Sequence, residues 1–140
     1  MKGGDLFWLW APYELYGQVD AVYSRRFFEQ GNGFTSAQGL LNVVESILNF
    51  AYLGLEANKS PIAVLVGFTT VLLTFWKTVL YWLQDQQCGW CLTGHNDRGK
   101  WWLLFAIPNG FWLVAPLAIA CVFGAELAQG LRFGAKAKVL

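Results

Sequence analysis

Three long apolar runs constrain the fold of this chain more than any other feature of its sequence. They cover approximately residues 36–56, 61–83 and 101–131, and a helix that crosses the hydrocarbon core of a bilayer needs about 20 such residues. Charged residues make up only 14% of the chain, whereas a typical soluble domain is about 25% charged. We therefore predict an all-α integral membrane bundle of three transmembrane helices.

Local signals set the boundaries of these helices. The turn Asn58-Lys59-Ser60-Pro61 offers a Ser cap with Pro in the first helical turn, which favours a new, antiparallel helix from residue 61. The aromatic residues Trp76, Tyr81 and Trp82 near its end suit a membrane interface. Within the third run, Pro108 and Pro116 leave backbone groups that neighbouring helices must satisfy.

The two ends of the chain do not read as spans. The opening segment is aromatic but contains Pro12, Glu14 and Asp20, and we predict that it lies along the interface. Residues 132–140 are predicted to form a polar, frayed tail after a transmembrane domain that covers residues 1–131. A net charge of +1 provides no basic patch for phosphates, which excludes nucleic-acid binding.

Polar residues recur in the first two runs at offsets of 0, 4, 7 and 11, and this spacing places them on one helical face. A charge in mid-membrane costs at least ~2.5 kcal/mol, so it faces the protein interior and finds a partner. We predict that Glu45 pairs with Lys77. The alternative is that the pair only joins two helices, through polar contacts worth ~0.6 kcal/mol each. The two stripes are Gln38, Asn42, Glu45 and Asn49 in the first run, and Thr70, Thr74, Lys77 and Tyr81 in the second.

The third run carries Asn109, Trp112 and Pro116 at offsets of 0, 3 and 7. Proline bends the helix, and Asn109 offers both donors and acceptors to the interior. In the plainer interpretation, Trp112 fills the core and Asn109 caps backbone freed near Pro108.

Cysteines form a second candidate site in the loop between the second and third runs. Cys88 and Cys91 make a CxxC motif that His95 and Asp97 follow. This pattern fits a redox pair, an incomplete zinc site or an ordinary loop with a disulfide. Because no second CxxC or HxxxH is present, we predict neither a metal site nor a cofactor. Cys121 reads as a small core residue.

Four elements of the sequence together resemble the EXPERA domain, a family that includes emopamil-binding protein, a sterol isomerase, and the sigma-2 receptor. They are Asp20 with Tyr23, Glu45 within NVVESILNFAYL, LYWL at 80–83, and PNGFWLVAP at 108–116. The resemblance runs from about residue 6 to residue 131. Its most specific parts are the glutamate of the first run and the N-x-x-W-x-x-x-P of the last.

The resemblance implies a bundle around a cavity open to lipid, a location in the endoplasmic reticulum and possible homodimers. Glu45 would match the family's membrane-buried glutamate, and Asn109 and Trp112 would match residues that line its ligand cavity. Asp20 would match an acidic position of the segment that precedes the first run.

Two features depart from the family pattern. The isomerase has a helix with a His and another Glu upstream of the Asp20 region, where this chain begins. We expect an N-terminally shortened product, the alternative being a partner that supplies the missing wall. The second departure is Lys77, since an ammonium opposes the carbocation through which a sterol double bond migrates.

Three functions follow as expectations. The first is binding of a sterol or other apolar lipid without catalysis, with Asp20, Asn42, Asn49, Thr74 and Tyr81 joining Glu45, Lys77, Asn109 and Trp112 around the ligand. The second is sterol double-bond isomerisation, in which Glu45 is the catalytic residue that transfers the proton. The third is a structural or trafficking partner in which the polar stripes only pack helices.

Overall fold

The computed structural model describes residues 4–137, and it describes all side chains in that range except those of Trp10 and residues 133–137. Within this part of the chain the structure is helical, with no strand. The elements are α1 Phe7–Val19, a 3₁₀ turn Ala21–Tyr23, α2 Arg25–Glu29, α3 Gly33–Ala57, α4 Ala63–Gln87, α5 Arg98–Lys100, a π-helical stretch Trp101–Ala106 and α6 Ile107–Ala137.

Three helical segments are long and apolar enough to cross a membrane, as predicted: α3, α4 and the continuous run Arg98–Arg132. Large apolar side chains cover their outer surfaces. Ile47, Phe50 and Val114 are 62%, 75% and 70% exposed, an exposure that lipid satisfies and water does not. The chain is therefore an integral membrane protein.

Both helices of the first hairpin begin at positions slightly different from those predicted. Helix α3 starts three residues early, at Gly33, because the Oδ1 atom of Asn32 accepts a hydrogen bond from the Phe34 N–H at 3.0 Å. Helix α4 starts at Ala63 rather than residue 61. Lys59 has a left-handed φ of 52°, and the Ser60 carbonyl accepts the Ala63 N–H at 3.0 Å.

Helices α4 and α6 both continue past their predicted ends. Helix α4 reaches Gln87, because polar residues continue a helix once they lie beyond the apolar core. Helix α6 reaches Ala137, so it extends into the predicted tail at 132–140, whose residues 138–140 lie outside the described part. A single Gly costs a helix only about 1 kcal/mol, and Gly134 stands among the good helix formers of this segment.

The π-helical stretch ends just before Pro108. Proline lacks an N–H, and its ring collides with the carbonyl four residues earlier. A wider turn, in which the Ile107 N–H donates to the Trp102 carbonyl five residues back, accommodates that ring. Pro116 lies inside α6.

The chain divides into two compact units. Unit 1 comprises Met1–Leu40 with Leu80–Gly110. Its core is formed by Val19, Val22, Tyr81, Leu92 and Phe105. The predicted interfacial segment is helix α1 in this unit, and its last residue, Val19, is buried in that core.

Unit 2 comprises Leu41–Val79 with Phe111–Leu140. Here α3 and α4 are antiparallel, since Glu45 meets Thr74 while Tyr52 lies beside Gly67. A Cβ atom on Gly67 would lie 2.8 Å from the Phe123 ring, and Phe123 packs on Tyr52 with ring centroids 5.7 Å apart. Glycine at 67 thus allows α3, α4 and α6 to approach closely.

Candidate functional site

Four polar side chains of unit 2 form a hydrogen-bonded group that we call the Glu45 cluster: Asn42 and Glu45 on α3, and Thr74 and Lys77 on α4. The Lys77 ammonium forms an ion pair with Glu45 Oε2 and donates to Asn42 Oδ1 at 2.5 Å. Thr74 Oγ1 donates to Glu45 Oε1 at 2.6 Å. The Lys77 and Glu45 side chains are only 11% and 14% exposed, so the predicted pairing is confirmed.

Helix α4 presents a row of buried threonines that positions this cluster. Thr70, Thr74 and Thr78 follow one another at intervals of four residues and are each less than a tenth exposed. The hydroxyls of Thr70 and Thr78 donate to the carbonyls four residues earlier, each at 2.8 Å. These short, self-satisfied side chains allow α3 to approach α4. The Thr74 hydroxyl has one proton, and Glu45 at 2.6 Å is closer than the Thr70 carbonyl at 3.1 Å.

The cluster retains hydrogen-bonding capacity after these contacts. A lysine ammonium has three donors, and the contacts to Glu45 and Asn42 use two. A carboxylate has about four lone-pair sites, of which Thr74 and Lys77 occupy two. A hydroxyl brought by a ligand could therefore donate to Glu45 or accept from Lys77 without breaking the pair.

The remaining predicted residues of unit 2 stay apart from the cluster. Asn49 is exposed on α3. Trp112 is 53% exposed and contacts Phe111 edge-on, with ring centroids 6.3 Å apart. Among the described contacts, neither residue bonds to Glu45 or Lys77.

Asp20 lies in unit 1, between α1 and the 3₁₀ turn, and is completely buried. Its Oδ1 atom accepts the Val22 N–H at 3.0 Å, while Oδ2 has no partner within the described part of the chain. Burial raises the pKa of this carboxyl to about 7, with the Val22 hydrogen bond opposing that rise. The Asp85 carboxylate adds to the rise and His95 opposes it.

Tyr81 and Asn109 also belong to unit 1. Tyr81 is 4% exposed, so it packs in the core, in contact with Tyr23 and Phe105. Asn109 donates from Nδ2 to the Phe105 carbonyl at 2.8 Å and to the Tyr16 hydroxyl at 3.0 Å. The first bond is the backbone cap that the plainer interpretation predicts, and the second also fixes α1.

The loop that follows α4 contains a disulfide between Cys88 and Cys91. Together with Asp85, these residues place possible ligand atoms within 4.8 Å of one another, but bonded sulfurs are not thiolates and do not bind zinc as thiolates do. His95 and Asp97 instead make hydrogen bonds with the backbone. His95 Nε2 contacts the Gln18 carbonyl at 2.8 Å, and Asp97 accepts the Lys100 N–H at 3.0 Å.

Asp85 is a residue that the sequence interpretation missed, having assigned it to a polar loop. It is 1% exposed and holds the loop through Leu92 and Thr93. Its only signal in the sequence is an acidic residue three positions before a CxxC motif, which is weak.

A mainly apolar groove of about 1130 Å³ opens on unit 1. None of the nine predicted ligand-binding residues lines it. Its walls come from α1, the 3₁₀ turn, α2 and the start of α3, and include Phe7, Tyr13, Gly17, Tyr23, Phe28 and Thr35.

No family model and no curated protein matches this chain.

Proposed function

We propose that this protein binds a sterol or another apolar lipid within the membrane, with the polar group of the ligand at the Glu45 cluster. One observation supports this assignment. An ion pair with unused hydrogen-bonding capacity lies between α3 and α4 in helices whose other faces are apolar. Ionisable residues inside membrane helices are costly, and each is by default a hypothesis for a functional site.

The chemistry of the cluster suits an apolar molecule with one hydroxyl. The pair is neutral as a whole, so it attracts neither a cation nor an anion strongly. A hydroxyl can use both the spare donor of Lys77 and the spare acceptors of Glu45, and a rigid apolar body then replaces lipid against the helices. A sterol of the endoplasmic reticulum, the membrane that the EXPERA resemblance implies, has this form.

The same geometry is less favourable to sterol isomerisation. Both oxygens of Glu45 already accept hydrogen bonds, and the Lys77 ammonium would oppose a carbocation at close range.

A purely structural role has better support than isomerisation, because the ion pair is satisfied without any ligand. In that case the cluster would join α3 to α4, and the protein would act as a structural or trafficking partner, as a monomer or a homodimer.

A photoreactive sterol with a free hydroxyl, added to the full chain in detergent, separates these functions. We expect labelling of wild type that an excess of unlabelled sterol suppresses, with labelled peptides from α3 or α4. Glu45→Gln and Lys77→Met should each reduce labelling several-fold, because each removes one side of the hydroxyl's hydrogen-bonding partners.

Thr74→Val and Thr69→Val form a matched pair of variants for this experiment. Both hydroxyls lie within hydrogen-bonding distance of the carbonyl four residues earlier, but only the Thr74 hydroxyl reaches Glu45, to which it donates, while Thr69 is exposed. Thr74→Val should weaken labelling and Thr69→Val should not. Equal labelling of wild type, Glu45→Gln and Lys77→Met would exclude the Glu45 cluster as the binding site. Labelled peptides that contain Tyr13 or Phe28 would place the binding site in the unit 1 groove.

A further inference from the structure

The disulfide of unit 1 closes a very short loop. Only Gly89 and Trp90 separate Cys88 from Cys91, and both lie in the left-handed region, with φ of 72° and 60°. The conformational freedom that a cross-link removes from an unfolded chain grows with the length of the loop it closes. This bond therefore restricts the unfolded chain much less than a long-range disulfide would.

The loop is also held in place without the disulfide. The buried Asp85 carboxylate accepts the Leu92 N–H at 2.8 Å through Oδ1 and the Thr93 hydroxyl at 2.5 Å through Oδ2. Its backbone carbonyl accepts the Trp90 N–H at 2.7 Å. These contacts join residues on both sides of the CxxC motif without involving the disulfide, so they are available to hold the segment when the sulfurs separate.

Contacts with α1 and the 3₁₀ turn add a second support to the loop. Ala21 donates its N–H to the Leu92 carbonyl at 3.1 Å, and Asn96 donates to the Val19 carbonyl at 2.6 Å. Both cysteines nevertheless remain exposed. The loop is thus held by hydrogen bonds while its disulfide stays accessible. This arrangement suits a disulfide that exchanges with other thiols better than one that stabilises the fold.

The two sulfurs differ in their surroundings. Cys88 Sγ accepts the Cys91 N–H at 3.3 Å and lies 3.3 Å from the Asp85 carbonyl oxygen. Cys91 Sγ makes no such contact among the described residues. Cys91 Sγ therefore has fewer neighbours for an incoming thiol to displace, and the Cys88 sulfur has an N–H donor on one side and the Asp85 carbonyl and Oδ1, the latter at 4.0 Å, on the other. The N–H donor stabilises Cys88 as it leaves, and the Asp85 oxygens favour its protonation afterwards.

We propose that Cys88 and Cys91 form a reversible thiol–disulfide exchange site whose co-reactant is a dithiol of a partner protein. A partner thiolate attacks Cys91 Sγ, forming a mixed disulfide and breaking the Cys88–Cys91 bond. The Cys88 thiolate leaves with the bonding electrons and takes a proton. The partner's second thiolate then attacks its own sulfur in the mixed disulfide, and the Cys91 thiolate leaves and is protonated. Two electrons reduce this pair, and the partner dithiol becomes a disulfide.

Glutathione redox buffers test the exchange on the full chain in detergent, with Cys121→Ser introduced so that only this pair reports. A thiol-reactive polymer is then added, which attaches to free cysteines and increases the mass of reduced chains. The reduced fraction is read from the shifted band on a gel. We expect that fraction to rise and fall reversibly with the ratio of reduced to oxidised glutathione, while the melting temperature stays unchanged. A pair that resists reduction in the folded chain, or a fall in melting temperature upon reduction, would identify a structural disulfide and overturn the proposal.

Because the exchange is reversible, the sulfur that a partner thiol attacks is also the one that forms the mixed disulfide in the reverse direction. Single-cysteine variants in the Cys121→Ser background show which sulfur this is. Cys88→Ser leaves Cys91 free and should form the mixed disulfide with oxidised glutathione several-fold faster than Cys91→Ser, which leaves only Cys88. Mass spectrometry of the intact chain measures the adduct. Equal rates, or the reverse order, would contradict the assignment of Cys91 as the attacked sulfur.

Discussion

Glu45 and Lys77 form an ion pair, so we expect the removal of either residue alone to destabilise the protein more than the removal of both. Either single substitution leaves one charge without its partner, at a cost of about 3 to 5 kcal/mol for a buried pair. In the double variant Glu45→Gln with Lys77→Met, no charge remains. We expect each single variant to melt well below wild type in detergent, and the double variant to melt above both. Additive effects in this cycle would show that the two residues are not coupled.

We expect Asp20 to make the stability of the folded chain depend on pH, because its carboxyl is buried. In the unfolded chain its pKa is ordinary, about 4, while burial raises the folded value to about 7. The folded state therefore binds the proton more tightly, and this contribution to stability is fully present below pH 4 and is lost as pH rises to about 7. The shift corresponds to an effect on the order of 4 kcal/mol.

The test is a series of melting temperatures between pH 4.5 and pH 8. Wild type should lose stability across this range, and Asp20→Asn should show a flatter profile because residue 20 no longer titrates. Asp97→Asn is the control. That carboxyl is exposed and the Lys100 N–H lowers its pKa, so it stays ionised throughout. A profile that is unchanged by Asp20→Asn would assign the pH dependence to another group.

Sequence periodicity predicted part of the candidate site and could not predict the rest. It identified Glu45 and Lys77 because charge in an apolar run is conspicuous and must be paired. It placed Asn49 on the same stripe, yet Asn49 is exposed, because periodicity gives a direction around the helix and does not say how much of that face a neighbour covers. Asp85 was missed because an acidic residue in a polar segment looks the same whether it is solvated or buried.

At the level of elements, glycine at position 17 determines how α1 meets the 3₁₀ turn. A Cβ atom there would lie 2.8 Å from the Tyr23 carbonyl oxygen and 3.3 Å from the Ser24 Cα. These are backbone atoms, so relief requires movement of the chain. We expect Gly17→Ala to lower the melting temperature, to expose the buried Val19 and Val22, and to increase proteolysis in α1.

Gly39→Ala is the matched control for this substitution. Gly39 is also helical, but a Cβ atom added there meets nothing within 4 Å. Alanine favours a helix over glycine by about 1 kcal/mol, so this variant should be as stable as wild type or slightly more stable. If the two variants behave alike, the close approach at Gly17 does not hold α1 in place.

The elements themselves were largely predictable, whereas their ends were not. Length and apolar content suffice to identify a span, and all three predicted spans are present. The ends depend on single contacts that composition does not reveal, such as the Asn32 side chain at the start of α3. Helix α1 was predicted as an interfacial segment without a defined length, since Pro12 and Glu14 obscure its pattern.

At the scale of the whole molecule, the three spans differ in their tolerance of another charge. Of the three, α3 is the least hydropathic and already contains Glu45, whereas the third span is the most hydropathic. A lysine near the centre of a span costs about 2.5 to 3.5 kcal/mol on insertion scales. The same charge should therefore prevent insertion of α3 more readily than insertion of the third span.

Ile47→Lys and Val114→Lys compare the two spans directly. Both residues lie near the middle of their spans and are similarly exposed, at 62% and 70%. After alkaline carbonate extraction, wild type should remain in the membrane pellet. Val114→Lys should remain there largely as well, while a substantial fraction of Ile47→Lys should be released or degraded. The reverse order would mean that α3 is inserted by the rest of the bundle, with Lys77 compensating Glu45, rather than by its own hydropathy.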